Sequence, residues 1–415
     1  MARISRCPVC DSVGAVEACR RDMPLHTVRR FGAGGGGDRY VELRLVACAG
    51  CGHLYNEAFD SELGAEMYGD GPLTNVPVHP SMTDRLRQLI VWLDVEAVNR
   101  AAPPDIIEIG SGSGHLARIL APLSRSITVF EPNRSLTAAM LPEPAIRLVS
   151  EELPPVGLPE SADLVICRQV LEHLADPLVL LRAIRSCLRE GGRAYLEVPN
   201  GGYVFEHAAF MDVHLPHVQY FSRDGFLHLA RRAGLAPVKE QWIKGRHDFG
   251  ILFTAVAPEP CPPSPPPGGD AVDLGQRFTA RIAAARDRLS QLGPRIGLYG
   301  ATAQAQSFVN AMAPSRRFPV VFDDTPGLSG FALFDRHHDI PVEAPSAERL
   351  ATLDAVVVTA YLHDSAIARN LRAGGFAGPI LTIRADFPTD EPDVDWLYTD
   401  SAAGPPGRSE VAADA

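Results

Sequence analysis

The sequence predicts an α/β protein with two separate parallel sheets in one chain, preceded by a short module built on paired cysteines. Three observations predict it. Short β-branched runs alternate with helical periods over residues 81–260, the pattern of a parallel sheet covered by helices. The alternation resumes after Cys261-Pro-Pro-Ser-Pro-Pro-Pro-Gly-Gly-Asp270, a break that can form neither helix nor central strand. Two Cys-x-x-Cys pairs lie within the first 80 residues. At 415 residues the chain exceeds what one hydrophobic core serves, so several domains are expected.

Composition narrows the class. Apolar residues make up 46% and charged residues 21%, as in an ordinary soluble globular protein. No apolar run approaches the roughly 20 residues that span a bilayer, and the N-terminus lacks the apolar segment of a secretory signal. A cytoplasmic location with no membrane partner is therefore expected. The formal net charge of −11 argues against nucleic acid as partner, because neutralising phosphates takes a basic surface.

The boundaries follow from these shifts. Residues 1–80 form the cysteine module, with Gly32-Ala-Gly-Gly-Gly-Gly37 as a flexible loop between its pairs. In the central domain, 81–260, strands are expected at Asp105–Ile109, Ser126–Phe130, 163–167 and 193–198, the last following a turn at Gly191-Gly192. The linker is 261–270. A helix at 271–292 then opens a second α/β domain reaching residue 402, with strands at 295–299, 319–322, 355–359 and 380–383. The tail 403–415 is small and polar and is expected to be disordered.

The stretch Asp105-Ile-Ile-Glu-Ile-Gly-Ser-Gly-Ser-Gly-His115 joins a buried strand to a helix. Gly110, Gly112 and Gly114 permit a tight turn and bring backbone amides, with Ser111, close to a ligand. Glu108 stands where a carboxylate can hold an amino-acid ammonium group. Glu131, followed by Pro132, ends the next strand, the place for an acid that takes two ribose hydroxyls. The strand after that runs into Arg168-Gln-Val-Leu-Glu-His173-Leu-Ala-Asp-Pro177. In order and spacing, residues 105–200 resemble the class I S-adenosylmethionine-dependent methyltransferases. The resemblance implies a cofactor site of Glu108, Gly110, Ser111, Gly112, Gly114, Glu131, Pro132 and Arg168, with Glu151 and Glu152 beside the adenine. A dinucleotide dehydrogenase is the competing reading of the loop; Leu171-Glu-His-Leu174 and Glu197-Val-Pro-Asn200 fit methyltransferases instead.

Cys7-Pro-Val-Cys10 and Cys48-Ala-Gly-Cys51-Gly52 supply four thiolates, enough to close a tetrahedral structural zinc site. A redox dithiol is the lesser alternative, since neither pair opens a helix of a thioredoxin-like unit.

A Cys-x-x-Cys module, a class I methyltransferase core and a second Rossmann-like domain, in that order, resemble the sugar C-methyltransferases, which methylate C3 of dTDP-linked 4-ketosugars. The marks are both cysteine pairs, Tyr68, Tyr299-Gly300-Ala301, Asp323-Asp324-Thr-Pro326, Gly330 and Ile340-Pro341-Val342. The resemblance implies that the C-terminal domain helps to bind a nucleotide sugar. The family's Tyr-His-Glu-His-x-x-Tyr-Phe-Ser signature reads His214-Leu-Pro-His217-Val-Gln-Tyr220-Phe-Ser222 here, so its first three positions differ. Where the family has a Gly-Ala-x-x-Lys turn, this chain has Gln304.

A carbon nucleophile beside a ketone must lose a proton before it attacks, and a histidine of near-neutral pKa suits that task. His217 is the expected base, with His214 or His173 binding or polarising the acceptor and Tyr220 in support. His-x-x-His spacing also admits a metal. The expected function is thus C-methylation of a nucleotide-linked ketosugar or related metabolite. The alternatives are O- or N-methylation of a natural product and, from another class, a zinc-containing cofactor-binding or RNA-interacting module.

Overall fold

The computed structural model describes residues 4–32, 39–68, 73, 76–77, 80–95, 102–150, 161–259, 269–313, 318–385 and 394–397. Most of the Gly32–Gly37 loop, Glu151, Glu152, most of the proline linker and the 403–415 tail lie outside them, as does the side chain of Tyr68. The chain divides into two units. The first holds Met1–Arg21, Glu42–Tyr203 and Leu215–Val272; the second holds Asp22–Val41, Val204–His214 and Asp273–Ala415.

The first unit is built on a seven-stranded sheet: β1 (Asp105–Ile109), β2 (Ser126–Phe130), β3 (Ile146–Val149), β4 (Ala162–Arg168), β5 (Leu188–Pro199), β6 (Leu235–Ile243) and β7 (Asp248–Ala255). Their order across the sheet is β3-β2-β1-β4-β5-β7-β6. The first five are parallel, and β7 enters antiparallel to both β5 and β6. Strand order reverses between β1 and β4, which opens a crevice at their carboxyl ends, where doubly wound sheets bind ligands. The apolar strands β1 and β4 are buried on both faces, as central parallel strands must be.

Two of the helices show why the chain turns where it does. Asp176 accepts from the Leu178 amide at 3.1 Å and Pro177 opens the helix Pro177–Cys187. Ser222 accepts from the Gly225 amide at 3.1 Å to start Arg223–Ala233, which Gly234 ends with φ 83°. Buried faces of both helices share one core with Ile107, Val165 and Leu196 of the sheet. Cys7, Val9, Cys48, Cys51 and Tyr55 belong to that same core. A short strand, Leu54–Asn56, pairs with Tyr40–Cys48 in the register Val46–Tyr55 and with Gln219–Tyr220 in the register Tyr220–Leu54.

The second unit carries its own sheet. Ile296–Tyr299, Val321–Phe322, Asp339–Glu343, Ala355–Val358, Ile380–Thr382 and Val394–Trp396 run parallel, in the spatial order 3-2-1-4-5-6 counted along the chain. Phe331–Phe334 and Arg29–Arg30 extend it antiparallel at one edge. This is the doubly wound dinucleotide-type arrangement.

The four expected strands of each sheet are present, but the turn expected at Gly191-Gly192 is not one. Both glycines lie inside β5, which begins at Leu188. Gly191, at φ 78°, forms an irregularity in the β4–β5 ladder, whose register moves from Ala162–Leu188 to Leu164–Arg193. Among the described residues no helix is long and apolar enough to cross a membrane.

Candidate active site

The loop after β1 is shaped by three left-handed glycines, Gly110 at φ 70°, Gly112 at 59° and Gly114 at 73°. A Cβ on Gly110 would sit 2.2 Å from Val170 Cγ2, so the backbone passes where no side chain fits. The Gly110 amide donates to Phe130 O at 2.8 Å and the Gly112 amide to Glu131 Oε2 at 2.7 Å. The other Glu131 oxygen accepts from the Asn133 amide at 3.0 Å. Glu131 thus sits at the end of β2 against the loop. Burial pushes its carboxyl up, and these two amides act against that rise.

Glu108 is the one charged residue buried in β1, and its Oε2 meets no hydrogen-bond donor among the described residues. Burial pushes its carboxyl up to about 7, with Arg168 opposing and Glu131 adding to the shift. Ser111 Oγ, also buried, is likewise without a partner among the described residues. A buried carboxylate oxygen and a hydroxyl left open on a glycine-rich loop fit a ligand bearing an ammonium group. Arg168 is held by Glu197 in a two-point pair, Nε–Oε2 at 3.1 Å and Nη2–Oε1 at 3.0 Å. Tyr195 donates to the same carboxylate at 2.8 Å. Burial notwithstanding, the Glu197 carboxyl is lowered by the Arg168 charge.

His173, His217 and Tyr220 come together at the end of β4. The His173 and His217 ring centroids are 5.1 Å apart, and those of His217 and Tyr220 are 6.3 Å apart. His173 lies in the turn Leu171–His173 and its Nδ1 is 2.7 Å from Pro216 O, so that nitrogen carries the proton and donates. The Val218 amide donates to Glu172 O at 2.7 Å, tying the two segments together. Burial lowers the His173 imidazole. His214, by contrast, is buried in the second unit, which also holds the half-buried His207, so His207 and His214 fall in a different unit from His217.

The four cysteine sulfurs lie within 4.8 Å of one another. Cys7 Sγ and Cys51 Sγ are 3.7 Å apart, Cys10 Sγ and Cys48 Sγ 3.6 Å. A tetrahedral ion with Zn–S bonds of about 2.3 Å needs sulfur separations of about 3.8 Å, so the set fits. Each pair closes a knuckle: the Asp11 amide donates to Cys7 O and the Gly52 amide, at φ 70°, to Cys48 O. The Gly50 amide donates to Cys48 Sγ at 3.3 Å. Hydrogen bonding to the Cys48 sulfur and then burial raise the Cys7 thiol. Four crowded sulfurs cannot all ionise without a cation among them.

In the second unit, the turn after Ile296–Tyr299 repeats the geometry of the first. Gly300 has φ 105° and its amide donates to Phe322 O at 2.7 Å. Ala301 N donates to Asp323 Oδ2 at 2.7 Å, as Gly112 does to Glu131. Asp324 accepts from the Tyr299 hydroxyl at 2.8 Å. Gln304 Nε2 donates to Asp212 Oδ1 at 3.3 Å.

A methyltransferase-domain family model matches residues 83–240. That span contains the glycine loop, Glu131 and the histidine turn. Residues 83–240 are a class I methyltransferase domain. Over 120 residues the chain is 32% identical to a ubiquinone biosynthesis O-methyltransferase of Xanthomonas campestris pv. campestris, covering 26% of this chain and 49% of that protein. The chain therefore spans about half the length of that relative. It is 26% identical over 207 residues to a protein of Mycobacterium tuberculosis named a probable S-adenosylmethionine-dependent methyltransferase, covering 46% and 73%. Among solved structures, the N-methyltransferase NodS of Bradyrhizobium japonicum, in complex with S-adenosylhomocysteine, is 16% identical. It covers 43% of this chain and 88% of that one with a TM-score of 0.33.

Several buried polar residues around these groups escaped the sequence reading. Glu172 was visible in Leu-Glu-His-Leu but carried no signal of burial. Glu197, Tyr195 and Asp248 act through partners distant in sequence, Asp248 through Lys244 at 2.6 Å and His247 at 2.6 Å.

Proposed function

We propose that the chain is an S-adenosylmethionine-dependent methyltransferase of small-molecule metabolism, with C-methylation of a nucleotide-linked ketosugar as its reaction. The observation that carries the methyl-donor half is the buried Glu108 carboxylate, with its Oε2 open, beside the glycine-rich Gly110–Gly114 loop, with Glu131 on the other side of that loop. When bound, the donor supplies a methyl already activated by its sulfonium. The chain's residues then bind and orient: Glu108 takes the ammonium group, Glu131 the ribose hydroxyls, and Arg168, held by Glu197, a position between them. Alignment of donor and acceptor is the main catalytic contribution such a site makes.

On the acceptor side, His217 is the group assigned to take the proton α to the ketone, with His173 oriented by Pro216 O and Tyr220 packed behind. Support for a sugar acceptor comes from the second doubly wound unit and its Gly300–Asp323 turn, together with the family resemblance of the whole chain. The four-cysteine site is assigned to structural zinc, because its sulfur spacing suits the ion and its knuckles share the core that carries the histidine segment.

O-methylation is the second reading, favoured by the name of the Xanthomonas relative and by Leu215 and Pro216, which replace two polar groups of the sugar family's signature. Incubation with methyl-labelled donor and a dTDP-4-keto-6-deoxysugar separates the two. Label at C3 with solvent deuterium exchange there supports C-methylation; label on an oxygen, or none with this acceptor, overturns it.

A further inference from the structure

Glu172 is 1% exposed, and neither of its carboxylate oxygens meets a hydrogen-bond donor among the described residues. A buried acid in that state calls for either a proton or a cation. Asp248 and Glu197 place like charge nearby, with Lys244 opposing. Directly beside it stand His173 and His217, and one ligand atom from each of the three residues lies within 4.8 Å of the others.

We infer that Glu172, His173 and His217 bind one divalent transition-metal ion of the zinc class, separate from the four-cysteine site. The arrangement of His173 supports this. Its Nδ1–H donates to a backbone carbonyl, the usual device that fixes a metal-binding imidazole and presents the other nitrogen as ligand. That nitrogen, Nε2, is 3.8 Å from Glu172 Oε1. The separation is too long for a hydrogen bond. It is within the span of two ligands on one ion with bonds of about 2.1 Å.

The backbone holds the set together. Glu172 and His173 share one short turn, and the Val218 amide bond to Glu172 O seats the His217 segment against it. Two imidazoles and one carboxylate leave coordination positions open, as in catalytic rather than structural metal sites. An oxygen ligand, such as the ketone or hydroxyl of an acceptor, would occupy such a position and become more acidic there. With the ion bound, His217 is a ligand and no longer the base, and acidification of the coordinated acceptor takes the place of that role; this part rests on the methyl-transfer reading, binding of the ion does not.

The test uses the full chain dialysed against zinc chloride, then desalted and analysed for metal, with cobalt(II) chloride in a parallel series. The wild type should retain one equivalent more than H217A or E172Q. Cobalt–thiolate charge-transfer absorption from the cysteine site should be equal in all three. Should E172Q fail to fold, H217A, altered at a partly exposed position, carries the comparison. Equal metal content in wild type and H217A overturns the proposal. Because methyl transfer is not read, that outcome leaves the methyltransferase assignment untouched.

Discussion

His53 Nε2 and Gln219 Oε1 are 2.8 Å apart in the interior of the first unit. Gln219 Nε2 donates to Leu174 O at 2.9 Å, so its oxygen is the acceptor and His53 the donor. His53 also stacks on Phe221, with centroids 5.4 Å apart. A residue of the cysteine module thereby fixes the strand Gln219–Tyr220, which follows His217 by two residues. Burial lowers the His53 imidazole to about 4, below its ordinary value of 6.5. The unfolded chain therefore takes up a proton first as pH falls. Stability is lost between pH 6.5 and 4, by up to about 3 kcal/mol from this group. The excess stability of wild type over H53Q, measured by urea unfolding, should shrink across that window. A difference independent of pH would refute the assignment.

Loss of the cysteine site should reach the histidine segment. C48S, or chelation of the wild type, should lower stability by several kcal/mol. Hydrogen exchange should quicken at the amides of residues 54–56 and 219–220 before it does in β1 and β4. Uniform exchange across the unit would instead mean that the module and the segment are not specially coupled.

On the proposed donor site, Glu108 should set the pH dependence of donor binding. With its carboxyl pushed up to about 7, it is neutral below that pH and cannot counter an ammonium group. Affinity for S-adenosylhomocysteine should rise about tenfold per pH unit up to about 7 and level off. It should fall again above about 8, as the ligand's own amino group loses its proton. E108Q should bind weakly and lose the acidic limb; calorimetry at four pH values reads both effects.

The glycine loop is the part of the site that sequence made plainest. Strand, glycines and terminal acid are all local, and β1 and β2 have the expected bounds. The β6–β7 hairpin was unread, because β6 is largely exposed and lacks a hydrophobic pattern. Residues 22–41 and 204–214 gave no sign that they belong with the second unit, since membership there is decided by tertiary pairing such as Phe331 with Arg30. Likewise Glu172 read as a motif letter; only its burial beside two histidines makes it chemically unusual.

Gly110→Ala tests the cradle. The new Cβ meets Val170 at 2.2 Å and the backbone stands at φ 70°, so both space and conformation oppose it. Donor affinity should fall at least tenfold. V170A in the same chain should recover part of that loss by removing the clash, leaving the backbone strain of about 1 kcal/mol. No recovery would locate the whole effect in the backbone.

In the second unit, Asp212 is buried and accepts from the Tyr361 hydroxyl at 2.9 and 2.8 Å and from Gln304 at 3.3 Å. The sugar C-methyltransferase pattern has lysine at position 304. The glutamine here faces a carboxylate, so a lysine would meet opposite charge rather than empty solvent. Y361F should cost about 1–3 kcal/mol by removing a donor from a buried acid. Q304K should stabilise by about 1 kcal/mol, because the added cation offsets the burial of a charge already present. The gain should vanish in the D212N background, where no carboxylate remains to pair. Thermal unfolding of the four proteins forms a double-mutant cycle. A Q304K gain that survives in D212N would show that position 304 acts through another partner.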